Sequence, residues 1–163
     1  MTSTVDARLT GLGIELAPPP PSAGAYAGTV RVGGLLYTSG QVAADSSGTF
    51  PARGALGAQV DLETGIACAR QCALNVLAQA AAALGGLDQV SQVVKLTVFV
   101  ASTSDFTDQP VVANGASHLI NEVFGPAGVH VRSAVGVAAL PSGSPVEIEA
   151  IFQVENDHYP ESY

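Results

Sequence analysis

A single α+β domain, a mixed β-sheet with two helices packed on one face, is the fold class that three features of the sequence predict. Short strand-like runs pair up at both ends of the chain, two long segments with three- and four-residue apolar spacing lie between them, and one run between those segments alternates strictly. The resulting order is β-β-α-β-α-β-β.

Each element has its own signal. In residues 1–23 the stretch Ala17-Pro-Pro-Pro-Pro21 favours polyproline II over helix, so an extended N-terminal arm is expected before a domain at 24–155 and a tail at 156–163. Residues 25–32 and 35–41 flank Gly33-Gly34, the dipeptide of a two-residue hairpin turn. Residues 43–60 lack periodicity and read as a long loop. Asp61 is a suitable N-cap, and Glu63 complements the helix dipole. Ile66, Ala69, Ala73, Val76, Leu77, Ala80 and Leu84 then form one apolar stripe that stops at Gly85-Gly86. Val94, Leu96, Val98 and Val100 alternate with Lys95, Thr97 and Phe99 as in a strand. A second helix is expected over 110–124, ended by Gly125-Pro126, and two strands over 131–140 and 145–154 with a turn at 141–144.

Composition limits the functions available. At 163 residues the chain suits one domain, and 47% hydrophobic against 12% charged residues is too apolar for a disordered chain. So little charge on so small a surface points to cover by another subunit. A formal charge of −8, with one lysine and five arginines, argues against nucleic-acid binding, which needs clustered cations. No apolar run has the length of a bilayer span, and the first residues lack a leader pattern, so the expected location is cytoplasmic. Cys68 and Cys72 share one helix face, where they suit burial better than a disulfide. His118 and His158 read as solvated, and the scattered histidines do not predict a metal site.

The last two strands give the most specific structural expectation. A tight turn at 141–144 pairing Ala138 with Glu147 would place Arg132, Ala134, Gly136 and Ala138 on one face with Glu147, Glu149 and Ile151. Val135, Val137, Ile148, Ala150 and Phe152 would face the helices. In that register Arg132 stands roughly 20 Å along the ladder from the partner of Glu147, so the two would serve one small ligand only from neighbouring chains.

His130-Val-Arg-Ser-Ala-Val-Gly-Val-Ala-Ala-Leu-Pro141, followed by Pro145-Val-Glu-Ile-Glu-Ala150, resembles the C-terminal signature of the YjgF/RidA family. Ala25-Tyr26, Leu36-Tyr-Thr-Ser-Gly-Gln41, Val94-Lys-Leu-Thr-Val-Phe-Val100 and Asn114 are further matches in the same order, and the likeness runs from about Pro21 to Gln153. The resemblance implies a chorismate-mutase-like fold and a homotrimer with a central barrel and three clefts between subunits. The activity it implies is hydrolysis of enamine/imine intermediates to 2-oxoacids and ammonia, with no cofactor. It assigns Arg132 to the substrate carboxylate, for which a guanidinium fork is suited, and Glu147 to activating water or relaying a proton. Tyr26, Ser39, Gly40, Ala134 and Pro141 would line the pocket, with Asn114 supporting it. Ala134 stands where the deaminases commonly carry cysteine, and His130-Val131 replaces a common Pro-Ala.

Other readings stand beside these. Arg132 also suits a structural ion pair with Glu149 or Glu147, and Glu147 a solvated strand position. His130, two residues from Arg132, could reach the same pocket as an acid or base. A noncatalytic carboxylate-binding or regulatory trimer is the alternative to an enzyme, and ribonuclease activity fits the acidic composition least.

Overall fold

The computed structural model describes residues 4–22 and 24–155; the tail, with His158, lies outside the described residues. The elements are α1 (Val5–Gly11), β1 (Thr29–Val32), β2 (Leu35–Thr38), β3 (Gln41–Val42), α2 (Leu62–Leu84), β4 (Val90–Ala101), α3 (Gln109–Phe124), β5 (Val131–Val137) and β6 (Val146–Val154). They form three helices and a six-stranded mixed sheet of order β1-β2-β6-β4-β5, with β3 also paired to β6.

Local chemistry accounts for the long helices. The Asp61 carboxylate accepts the Thr64 N–H at 2.8 Å, and Gly85 closes α2 at φ 74°, a left-handed conformation that glycine adopts without strain. Ala69, Ala73, Val76, Leu77 and Ala80 are fully buried, and Cys68 and Cys72 join them as free thiols. Burial raises both thiol pKa values, and Cys72 donates to the Val146 carbonyl at 3.3 Å. α3 packs against α2 where Gly115 meets the Ile66 carbonyl, an approach so close that a Cβ at 115 would overlap that oxygen.

The N-terminal segment differs from the expected extended arm. Thr4 Oγ1 caps a short helix by accepting the Ala7 N–H, Leu9 is buried, and Asp88 accepts the Val5 N–H at 2.7 Å. Only residues 14–22 are irregular, and the prolines lie there. The first hairpin is shorter than expected because residues 25–28 are outside the ladder, although the turn at Gly33-Gly34 holds, with Gly33 at φ 56°.

The C-terminal pair is the main correction. β5 and β6 are not hydrogen-bonded to each other; β4 lies between them, parallel to β5 and antiparallel to β6. The turn at Pro141–Gly143 instead carries the chain past the end of β4, where the Ala101 N–H bonds the Pro145 carbonyl. The faces of β5 therefore exchange, while Ile148, Ala150 and Phe152 of β6 are buried on the helix side as expected. Arg132, Ala134 and Gly136 align with Leu96, Val98 and Val100 and with Ala150, Ile148 and Val146 on the helix-covered side. Glu147 aligns with Phe99 and Val135, and Glu149 with Thr97 and Ser133, on the other side. That open face also carries Tyr37, Ile151 and Val131, and Val131 and Val135 are 65% and 46% exposed. The exposed sheet face carries these residues rather than Arg132, Ala134 and Gly136.

Candidate functional site

Arg132 projects from β5, the edge strand of the sheet, toward α3. Its Nη1 donates to Asn114 Oδ1 at 3.0 Å and to Ser117 Oγ at 2.9 Å, and its Nη2 donates to the Pro110 carbonyl at 3.2 Å. Positions 110, 114 and 117 recur at helical spacing, so one face of α3 supplies all three acceptors. A guanidinium has five N–H groups; three are engaged, and the remaining two, on Nε and Nη2, are unpartnered among the described residues. No carboxylate among the described residues pairs with it. The only ion pair among the described residues is Arg70–Glu122 at 3.7 Å, so the structural pairing of Arg132 with Glu147 or Glu149 is excluded within the chain.

His130 is tied into the same cluster. Its Nδ1 lies 2.6 Å from the Gly128 carbonyl, which only accepts, so Nδ1 carries the hydrogen. Its Nε2 lies 2.9 Å from Ser117 Oγ. Both ring nitrogens are thus occupied within the chain, and Ser117, given no role by sequence reasoning, links histidine to arginine. The signal was the spacing of 110, 114 and 117, readable only once α3 is known to cover β5. His118 is exposed on α3, as expected of a solvated residue.

The second cluster surrounds Glu147. Its side chain leaves β6 on the open face and rests against Gly40, where a Cβ would overlap Glu147 Oε1. Ser39 fixes that segment, its Oγ donating to the Ala27 carbonyl at 2.6 Å and its N–H to the Gly28 carbonyl at 2.9 Å. Gln41 Nε2 donates to the carbonyls of Ser39 and Gly40 at 3.2 and 3.1 Å, and Gln79 of α2 reaches Gln41 Oε1 at 3.4 Å. Burial, and then the charge of Glu149, raise the Glu147 pKa above its ordinary 4.5. A carboxylate so placed is a better base at neutral pH than a solvated one.

The remaining sequence candidates fall into place around these clusters. Tyr26 is 55% exposed two residues before Gly28; Ala134 packs against the core; Pro141 is exposed in the turn after β5, beside Ser142, whose carbonyl accepts from Arg53. The structure brings Arg132, Asn114 and His130 together, and Glu147, Ser39 and Gly40 together. It keeps the two groups on opposite sides of the sheet. A cavity of about 380 Å³ between residues 15–20, the 41–48 segment and α2 is lined by neither Arg132 nor Glu147. Among the described residues no three His, Cys, Asp or Glu side chains gather as metal ligands, and no helix is long and apolar enough to cross a membrane.

Comparison with known proteins decides the lineage. The sequence profile of the family described as Endoribonuclease L-PSP matches residues 17–154. The chain belongs to the YjgF/RidA family. Among its YjgF/RidA relatives, Protein TCP17 of Trypanosoma cruzi is 48% identical, covering 93% of this chain and 95% of that one. The 2-iminobutanoate/2-iminopropanoate deaminase of Salmonella typhimurium is 37% identical over 81% of this chain and 89% of its own. The crystal structure of Atu1372 from Agrobacterium tumefaciens, a protein of unknown function, superposes with a TM-score of 0.84 at 41% identity, covering 94% of each chain. These likenesses support a Rid-type imine deaminase or a related small-molecule function.

Proposed function

We propose that the protein hydrolyses small 2-imino acids, or the enamines in equilibrium with them, to 2-oxoacids and ammonia in clefts between the subunits of a homotrimer. The observation that carries this reading is the state of Arg132: a half-buried guanidinium held by three neutral acceptors, with two donors left and no acid among the described residues to neutralise it. Such a group is suited to a ligand carboxylate in a bidentate pair.

Glu147 supplies the complementary chemistry. Water attacks the imine carbon while Glu147 takes its proton; the proton passes to nitrogen, and the carbinolamine releases ammonia as the carbonyl forms. The raised pKa of Glu147 matches that use. Because Arg132 and Glu147 leave opposite faces of the sheet, a cleft containing both draws them from two copies. The apolar open face, with Val131, Val135, Phe99 and Tyr37, supports its burial against such copies. Tyr26, Ser39 and Pro141 line this cleft, and no cofactor takes part. The deaminase relatives favour this activity, and the charge of −8 disfavours the nuclease in the family's description.

A coupled assay tests it. A pyridoxal-phosphate dehydratase acting on serine generates 2-aminoacrylate, and release of pyruvate is followed with and without the protein. Faster release, lost in Arg132→Ala, supports the reading. No acceleration, with tight calorimetric binding of pyruvate, would replace it with a noncatalytic carboxylate binder.

A further inference from the structure

The arginine is held by a chain of groups that begins and ends on α3. Gly128 is wedged against the helix backbone: a Cβ there would stand 2.6 Å from the Ile120 carbonyl oxygen and 3.0 Å from Asn121 Cα. Its carbonyl is therefore a fixed acceptor. It takes the Nδ1 hydrogen of His130 at 2.6 Å, and in the Nδ1–H tautomer Nε2 carries a lone pair. Ser117, 2.9 Å away, directs its O–H at that lone pair, so its own oxygen lone pairs face Arg132 and accept from Nη1 at 2.9 Å. Each bond fixes the polarity of the next.

Resting on the reading of Arg132 as the carboxylate anchor, we infer that Ser117 and His130 are positioning residues that aim this guanidinium. With both Nη1 hydrogens taken by Ser117 and Asn114, and one Nη2 hydrogen by Pro110, the ligand is left the edge formed by Nε and the second Nη2 hydrogen. A planar carboxylate lying in the guanidinium plane fits that edge with two parallel bonds. Without Ser117 the Nη1 group has a vacant hydrogen and the fork turns about its own axis. Without His130 the Ser117 hydroxyl is free to reorient and present its hydrogen to the cation. His130 therefore acts on substrate only through Ser117 and Arg132, and it exchanges no proton with the reacting atoms.

The arrangement holds ground state and transition state alike, since the carboxylate does not react, so its loss appears in KM rather than in kcat. The test uses the intact full-length protein in the coupled imine assay. Ser117→Ala and His130→Ala should each raise KM at least tenfold while kcat changes less than threefold. Ser117→Thr, which keeps the hydroxyl, and His130→Gln, which keeps an acceptor in reach, should recover most of the loss. An unchanged KM in both alanine variants, or a threonine variant as impaired as the alanine one, overturns the inference. A second readout needs neither substrate nor turnover. In ¹⁵N spectra of the ligand-free protein, the Arg132 Nη1 hydrogens should be resolved and slow to rotate, and His130 should show the Nδ1–H tautomer. Both features should be retained in Ser117→Thr, and the Nη1 signals should average in Ser117→Ala and His130→Ala. If the parent protein neither consumes imine nor binds pyruvate, the proposed function fails while these spectra still decide the positioning chain; averaged Nη1 signals in the parent would sink it.

Discussion

Arg132 and Glu147 stand on opposite faces of one sheet, on strands that flank β4, in rows set by Leu96 and Phe99 respectively. Three residue steps along the strand, roughly 10 Å, and the thickness of the sheet separate them. On the proposed reading of Arg132 as anchor and Glu147 as base, that separation assigns one half of the chemistry to each of two copies.

Arg132→Ala should raise KM for a 2-imino acid roughly 100-fold, the loss of a charge-assisted bidentate pair of about 3 kcal/mol. Arg132→Lys should recover less than a tenth of that loss, since an ammonium cannot present two parallel donors. Steady-state kinetics on both variants checks this. Equal KM values in the parent and the alanine variant would remove the anchor.

Glu147 gives two pH dependences of opposite direction. The folded protein holds its proton more tightly than the unfolded chain, because burial and Glu149 disfavour the charged form. Its contribution to stability is therefore fullest below the ordinary value of 4.5 and is lost as pH rises through the raised folded value. Glu147→Gln should unfold at a higher temperature than the parent above that window, and the difference should vanish in acid. Activity runs the other way. kcat/KM should rise with pH through an inflection above 4.5 in the parent and lose that limb in the glutamine variant. Thermal scans and pH–rate profiles at matched protein concentration give both curves.

Gly40 presses on the Glu147 carboxylate, which is the flexible end of a side chain. Gly40→Ala should displace that carboxylate, lowering kcat tenfold or more while the unfolding temperature moves by about 2 °C or less. A fully active Gly40→Ala protein would mean that the carboxylate does not work from this position.

Gly115→Ala is the contrasting case, because the added methyl meets the backbone oxygen of Ile66 rather than a movable side chain. Overpacking of about 3 kcal/mol is expected at this helix crossing, seen as a lower unfolding midpoint in urea. A midpoint equal to that of the parent would show that the helices separate freely.

The parts legible in the sequence were those set by local chemistry. Asp61 and Gly85 bound α2 through bonds within a few residues, and the alternation of Leu96, Val98 and Val100 marks buried strand positions in any topology. The alternation slips at Val94, where a bulge lies between Val93 and Lys95 and Val93 takes the fully buried place. Strand order was not legible. Pro141-Ser-Gly-Ser has the composition of a hairpin turn, yet the strands on either side of it accept β4 between them, a choice made by non-local pairing. That exchange moved Arg132 to the helix side and brought Asn114, Ser117 and His130 around it. Helix α1 was missed because seven residues give apolar periodicity no room to show.

Complementation between inactive chains tests the shared cleft most directly. Arg132→Ala and Glu147→Gln proteins, each with little activity, are unfolded together in equal amounts, refolded, and assayed for imine hydrolysis. Random assembly places an intact arginine and an intact glutamate together in about one cleft in four, so about a quarter of the parental activity should return. Activity no greater than the average of the two separate variants, from mixed oligomers verified by mass spectrometry, would contradict a site built from two copies.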